Sequence, residues 1–104
     1  MAKTSLTAAL RPVHPGELLR EDVLPALARP KAEIARLLGV SRQTLYDILN
    51  EKQPVTAEMA VRLGKLCGDG PEIWLAMQRD YDLQKAEREL AEAVSRIPTL
   101  HAAE

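Results

Sequence analysis

The chain has no phenylalanine, a single cysteine, two histidines and only three aromatic residues, Tyr46, Trp74 and Tyr81, among its 104 positions. Each scarcity removes a class of answer. One thiol, Cys67, cannot build an internal disulfide, and its place on an apolar helical stripe reads as a packed side chain rather than a reactive one. His14 near one end and His101 in the tail form no Cys/His cluster with metal-ligand spacing, so no metal, no cofactor and no catalytic residue is expected. His14, directly before Pro15, reads instead as the residue that opens a helix. Uncharged apolar stretches run to a few residues, against the roughly 20 that span a bilayer. Residues 1–10 also lack the apolar centre of a secretory leader, so the expected setting is cytoplasmic, with no membrane partner. Without phenylalanine the core must come from Leu, Ile, Val and Ala, a composition that favours helices. The length suits one domain with a modest core.

A formal charge of -1 looks unsuited to a nucleic-acid binder until the charges are placed along the chain. Residues 29–65 carry seven Lys or Arg against four acids, while residues 66–104 carry four against eight and residues 1–28 are balanced. The middle is basic and the tail acidic. An electrostatic footprint needs to be local to the contact face, so the overall balance excludes nothing.

That basic middle holds Lys31-Ala-Glu-Ile-Ala-Arg-Leu-Leu-Gly-Val-Ser-Arg-Gln-Thr-Leu-Tyr-Asp-Ile-Leu-Asn50, the spacing of a helix-turn-helix unit. Such a unit needs a small residue where two helices meet, and Ala35 supplies it. It needs a turn that tolerates a left-handed backbone, and Gly39 follows four residues later. Ser41 can cap the next helix. Ile34, Leu37 and Leu38 on the first helix and Leu45, Ile48 and Leu49 on the second recur at three- and four-residue spacing, with Val40 in the turn, so both stripes can face one core. Arg42, Gln43, Thr44, Tyr46, Asp47 and Asn50 are left facing outward. Arg can bridge guanine O6 and N7, Gln can bridge adenine N6 and N7, and a Thr methyl can meet that of thymine. Arg42, Gln43, Thr44 and Asp47 are therefore the expected base-reading residues, with Tyr46 at the margin. Lys31, Ser41, Asn50, Lys52 and Gln53 are expected at phosphates. The bland alternative is an αα-hairpin whose polar face is merely solvated.

Outside this unit the pattern predicts an all-α chain in three parts: a flexible lead over residues 1–12, a DNA-binding domain over 13–86, and a helical extension with a tail over 87–104. A first helix should begin at His14-Pro15-Gly16-Glu17 and be interrupted by Pro25. Thr56 can cap a fourth helix ending near Cys67, where Gly64 implies close packing by a neighbouring helix. From Pro71 the helical pattern runs to about Ile97, with Ile73, Trp74, Met77 and Tyr81 directed to the core. Leu83, Ala86, Leu90, Ala93 and Ile97 follow the spacing of a two-helix seam, which can serve self-association or fold back on the first helix.

Together, His14-Pro15-Gly16-Glu17, Glu33-Ile34-Ala35 to Val40-Ser41-Arg42, Asn50-Glu51-Lys52, Val55-Thr56-Ala57 and Pro71-Glu72-Ile73-Trp74-Leu75 leading into Tyr81-Asp82-Leu83 resemble the HigA, or VapI-type, antitoxins. These belong to the Xre group of phage-repressor-like helix-turn-helix proteins, and the resemblance covers residues 13–86. It implies a five-helix domain that dimerises, binds a palindromic double-stranded DNA operator, and neutralises a HigB toxin, an mRNA-cleaving RNase of the RelE-like class. A protein of this kind would be nucleoid-associated. A solitary Xre-type repressor without a toxin partner would share the central segment. Two positions depart from the family pattern: Pro30 stands where a capping Ser is common, and Glu51 where Gly commonly follows Asn50.

Overall fold

The computed structural model describes residues 12–103, all of whose regular structure is helical. Residues 1–11 of the expected lead lie outside the described part. Six helices follow in order: α1 (Pro15–Leu18, Leu19–Val23 and Leu24–Leu27 in continuous succession), α2 (Lys31–Leu38), α3 (Arg42–Leu49), α4 (Ala57–Cys67), α5 (Glu72–Glu89) and α6 (Ala91–Ser95).

His14 opens α1 by accepting the Gly16 N–H on Nδ1 at 2.9 Å, and Pro15 occupies the first helical position, where no donor is lost. Pro25 does not interrupt this helix as expected. The stretch Leu19–Val23 widens into a π turn in which the Leu24 N–H reaches the Leu19 carbonyl, and the chain continues helically to Leu27. An ordinary turn would press the Pro25 ring against the carbonyl four residues back, and the wider turn relieves that contact. Ala28 then closes the helix in the left-handed region at φ 55°.

The α2–α3 pair carries the signals read from the sequence. Gly39, at φ 77°, ends α2, and the Val40 N–H returns to the Ala35 carbonyl at 3.0 Å. Arg62 of α4 adds a bond from Nη1 to the Leu38 carbonyl at 2.8 Å. Pro30 precedes α2 without a side-chain cap, and its carbonyl accepts from Glu33 and Ile34. Thr56 caps α4 through the Met59 N–H at 3.2 Å.

One core joins these elements: Leu19 and Leu24 from α1, Ile34, Ala35 and Leu38 from α2, Leu45, Ile48 and Leu49 from α3, Val55, then Met59, Ala60 and Leu63 from α4, and Trp74 from α5. Two residues expected inside are not. Leu37 is 48% and Ile73 51% exposed, because the buried face of α2 is set by Ile34, Ala35 and Leu38, and that of α5 by Trp74, Met77, Gln78 and Tyr81 at helical spacing. Gln78 is buried with both ends of its amide used: Oε1 accepts from Val55 N–H at 2.7 Å and Nε2 donates to Asp82 at 2.9 Å. Trp74 donates from Nε1 to Asp69 at 3.0 Å. Cys67 packs half-buried against the core, and burial pushes its thiol above the ordinary range.

Two glycines mark close backbone approaches. A Cβ on Gly16 would lie 1.8 Å from the Ile48 carbonyl oxygen, so α1 can touch the end of α3 only through a residue without one. At Gly64 the close neighbour is the Gly70–Pro71 turn backbone, 2.3 Å from a Cβ, rather than the body of a helix.

The last helix is not continuous. It ends at Glu89 and restarts at Ala91 across Leu90, whose φ of -102° and ψ of 7° leave the helical region. Past residue 86 every described side chain is exposed, so local backbone hydrogen bonds and the Arg96–Glu92 ion pair hold the arm, and the alternative of a fold-back onto α1 is not what the structure shows. Leu83, Leu90, Val94 and Ile97 are all more than half exposed.

Candidate nucleic-acid interface

α3 presents the polar face that its sequence implies. Leu45, Ile48 and Leu49 are buried beneath it, while Arg42, Gln43, Tyr46 and Asn50 are exposed and Thr44 and Asp47 half-buried. Ser41 caps the helix by accepting the Thr44 N–H at 3.0 Å and donates its hydroxyl to Thr44 Oγ1 at 2.9 Å. The start of the helix is thus fixed by Ser41, whose oxygen serves as the cap.

The other end of the face is organised by Asp47. Its carboxylate accepts from Gln43 Nε2 at 2.8 Å and from Gln53 Nε2 at 3.0 Å, and its backbone carbonyl accepts the Lys52 and Gln53 N–H groups at 2.7 and 3.3 Å. The loop after α3 is thereby folded back onto the helix. Gln43, Asp47 and Gln53, distributed in the sequence reading between base and phosphate roles, form one network.

Glu51 holds a left-handed conformation, φ 62°, of the kind that favours glycine. For a side chain with Cβ that conformation carries a steric cost on the order of 1–2 kcal/mol. Arg20 braces this turn from α1, donating from Nη1 to the Leu49 carbonyl at 2.6 Å and approaching Glu51 at 3.4 Å. Lys31, Tyr46 and Asn50 join Arg20 and Leu49 around a cleft of about 260 Å³. Arg20 carries no role that the sequence pattern implies. Its one sequence signal is that it is a basic residue inside an otherwise acidic stretch of α1.

His14 lies behind the same loop. It is buried, stacks edge-on against Tyr81 with ring centroids 5.0 Å apart, and makes a hydrogen bond with the Gln53 backbone. Burial lowers its pKa below the ordinary 6.5, and the charges of Glu51 and Asp82 only partly oppose this. With Nδ1 accepting from Gly16, the ring proton sits on Nε2. Among the described residues no cluster of three or more His, Cys, Asp or Glu could hold a metal ion, and no helix is long and apolar enough to cross a membrane.

A small all-helical core carrying a capped, polar second helix defines a helix-turn-helix protein, and residues 26–75 match the helix-turn-helix family model. Virulence-associated protein I of Dichelobacter nodosus is 38% identical over 77 residues, which are 74% of this chain and 71% of that protein. Antitoxin HigA-1 of Vibrio cholerae is 34% identical over 73 residues, 70% of this chain and 69% of its own length. The Pseudomonas aeruginosa antitoxin HigA, solved with the higBA promoter, superposes with a TM-score of 0.81 at 35% identity, covering 88% of this chain and all of that one. The chain belongs to the HigA-type branch of the Xre-like helix-turn-helix family.

Proposed function

We propose that this chain is a non-catalytic, cytoplasmic DNA-binding antitoxin: it represses its own operon by reading a palindromic operator and neutralises a HigB-type, RelE-like mRNA-cleaving toxin. The observation that carries the DNA-binding part is the capped α3, which holds Arg42, Gln43, Thr44 and Tyr46 toward the outside over a buried Leu45-Ile48-Leu49 side, with Asp47 bonded between Gln43 and Gln53. Base edges are read by such polar groups, while Lys31, Ser41, Asn50, Lys52 and Gln53 flank the face at positions suited to phosphates and to setting register. Residues 13–86 would form the DNA-binding unit.

Two copies would place their α3 helices in successive major grooves about 34 Å apart, which requires a dimer. The exposed stripe of Leu83, Leu90, Val94 and Ile97 supports self-association through α5 and α6. The toxin-binding part rests on kinship with HigA antitoxins. Kinship with HTH-type transcriptional regulators supports a second reading, a solitary repressor.

Selection of duplexes from a randomised library by the purified protein should enrich one sequence with two half-sites about one helical turn apart. Failure to enrich any sequence would refute the DNA reading. Co-expression with the adjacent open reading frame should yield a co-purifying small basic RNase whose activity is suppressed. A neighbour that neither binds nor is toxic would leave the solitary repressor as the answer.

A further inference from the structure

We infer that Asp47 is a positioning residue for base reading: its carboxylate fixes the side-chain amide of Gln43, and preference at one base pair depends on Asp47 through Gln43. This rests on the DNA-reading role proposed above.

The geometry that points to it is the division of the carboxylate between two amides. Oδ1 accepts from Gln43 at 2.8 Å and Oδ2 from Gln53 at 3.0 Å. A carboxylate facing DNA is repelled by phosphates, and its natural base partner is the cytosine N4 amino group. Here each oxygen already holds an amide donor from the protein. Asp47 is also half-buried, one turn behind Gln43 on the same face of α3, while Gln43 itself is exposed.

The chemistry left on Gln43 suits the role. A glutamine amide has two hydrogens and one carbonyl oxygen. With one hydrogen on Asp47, the other and Oε1 remain for adenine N7 and the N6 amino group, the bidentate pair that identifies this base. Holding the amide also settles which end faces which way. A free glutamine can rotate its oxygen and nitrogen into each other's places and must be ordered on binding, whereas the clamped one is already arranged. The Asp47 backbone carbonyl meanwhile ties down Lys52 and Gln53, so one residue couples the reading side chain to the loop beside it.

The test uses the full chain and the duplex it selects from a randomised library, with each base pair of that duplex substituted in turn. Gln43→Ala should lose about 5- to 150-fold preference at one base pair. Asp47→Ala should lose roughly 2- to 12-fold at that same base pair, the worth of one pre-ordered side chain. Its affinity for random duplex should be retained or raised, since a negative charge is removed; a folding defect would lower it instead. In Gln43→Ala/Asp47→Ala no further loss should appear at that pair. Asp47→Asn keeps an acceptor oxygen at the same reach and should lose less than the alanine variant, and it carries the comparison should the alanine variant lose helicity by circular dichroism. The inference is overturned if Asp47→Ala alters preference at a base pair that Gln43→Ala leaves intact, if the two losses add, or if Asp47 variants keep full preference. A wild-type protein that selects no sequence overturns the DNA reading itself, and this inference with it.

Discussion

Gly16→Ala should destabilise the fold by about 2 kcal/mol, even though alanine is the better helix former by about 1 kcal/mol. The added Cβ would sit 1.8 Å from the Ile48 carbonyl oxygen, 2.9 Å from its carbon and 3.1 Å from His14 Nδ1. The obstacle is backbone in the last turn of α3, so no side chain can rotate away, and α1 or the end of α3 must shift by about 1 Å or more. Such a shift also strains the Arg20 bond to the Leu49 carbonyl and the His14 cap. Overpacking of this kind costs about 1–3 kcal/mol, and a fixed backbone obstacle together with the strained bonds places the gross cost near the upper end, about 3 kcal/mol before the propensity gain is subtracted. At about 4–8 °C per kcal/mol for a domain of this size, thermal unfolding followed by circular dichroism should show Tm lowered by roughly 8–16 °C. An unchanged or raised Tm would refute the packing of α1 against α3 through Gly16.

Four further outcomes follow from named residues. Ala28→Gly relieves the left-handed backbone at φ 55° and should raise stability by about 1 kcal/mol in urea titrations; a loss would argue against that conformation. Because burial lowers the His14 pKa below 6.5, the unfolded chain binds the extra proton first. The stability His14 contributes is then fully present above that value and declines as pH falls below it. Urea midpoints should drop between pH 7.5 and 5.5, and His14→Asn, which can still cap through its side-chain oxygen, should flatten that part of the profile. Leu90→Glu with Ile97→Glu should shift sedimentation toward monomer while leaving Tm nearly unchanged, since both side chains are more than half exposed; a large fall in Tm would place them in the core instead. Leu45→Ala should cost about 2–5 kcal/mol in urea titrations because the side chain is fully buried, and a smaller loss would mean that the site collapses around it.

The parts of the fold visible in the sequence are those set by local chemistry. Gly39, Ser41 and Thr56 act at helix ends through their own backbone freedom or hydroxyls, and each does so at the position its spacing implies. Features set by a partner distant in the chain were not visible. Gly16 is required by Ile48, the Gln78 amide is satisfied by Val55, and Arg20 meets the Leu49 carbonyl. Pro25 misled because a proline signals an interruption only when the turn before it stays α-helical. Leu37 and Ile73 misled because apolar periodicity on a short helix leaves the edge of the buried face undefined, and the packing partner draws it. In the candidate site, the outward residues of α3 were legible from periodicity alone. The bonds joining Gln43, Asp47 and Gln53 were not, since they depend on how the loop after Asn50 folds back.

The most direct measurement is fluorescence anisotropy of the wild-type chain, Gln43→Ala and Lys52→Ala on the selected duplex and on a scrambled one, across a range of salt. Gln43→Ala should lose about 1–3 kcal/mol on the selected duplex alone, while Lys52→Ala should weaken both duplexes alike and lower the salt slope by about 1 per protomer. Equal losses on both duplexes for both variants, or a wild-type chain that binds the two duplexes with the same affinity, would contradict α3 as the reading helix.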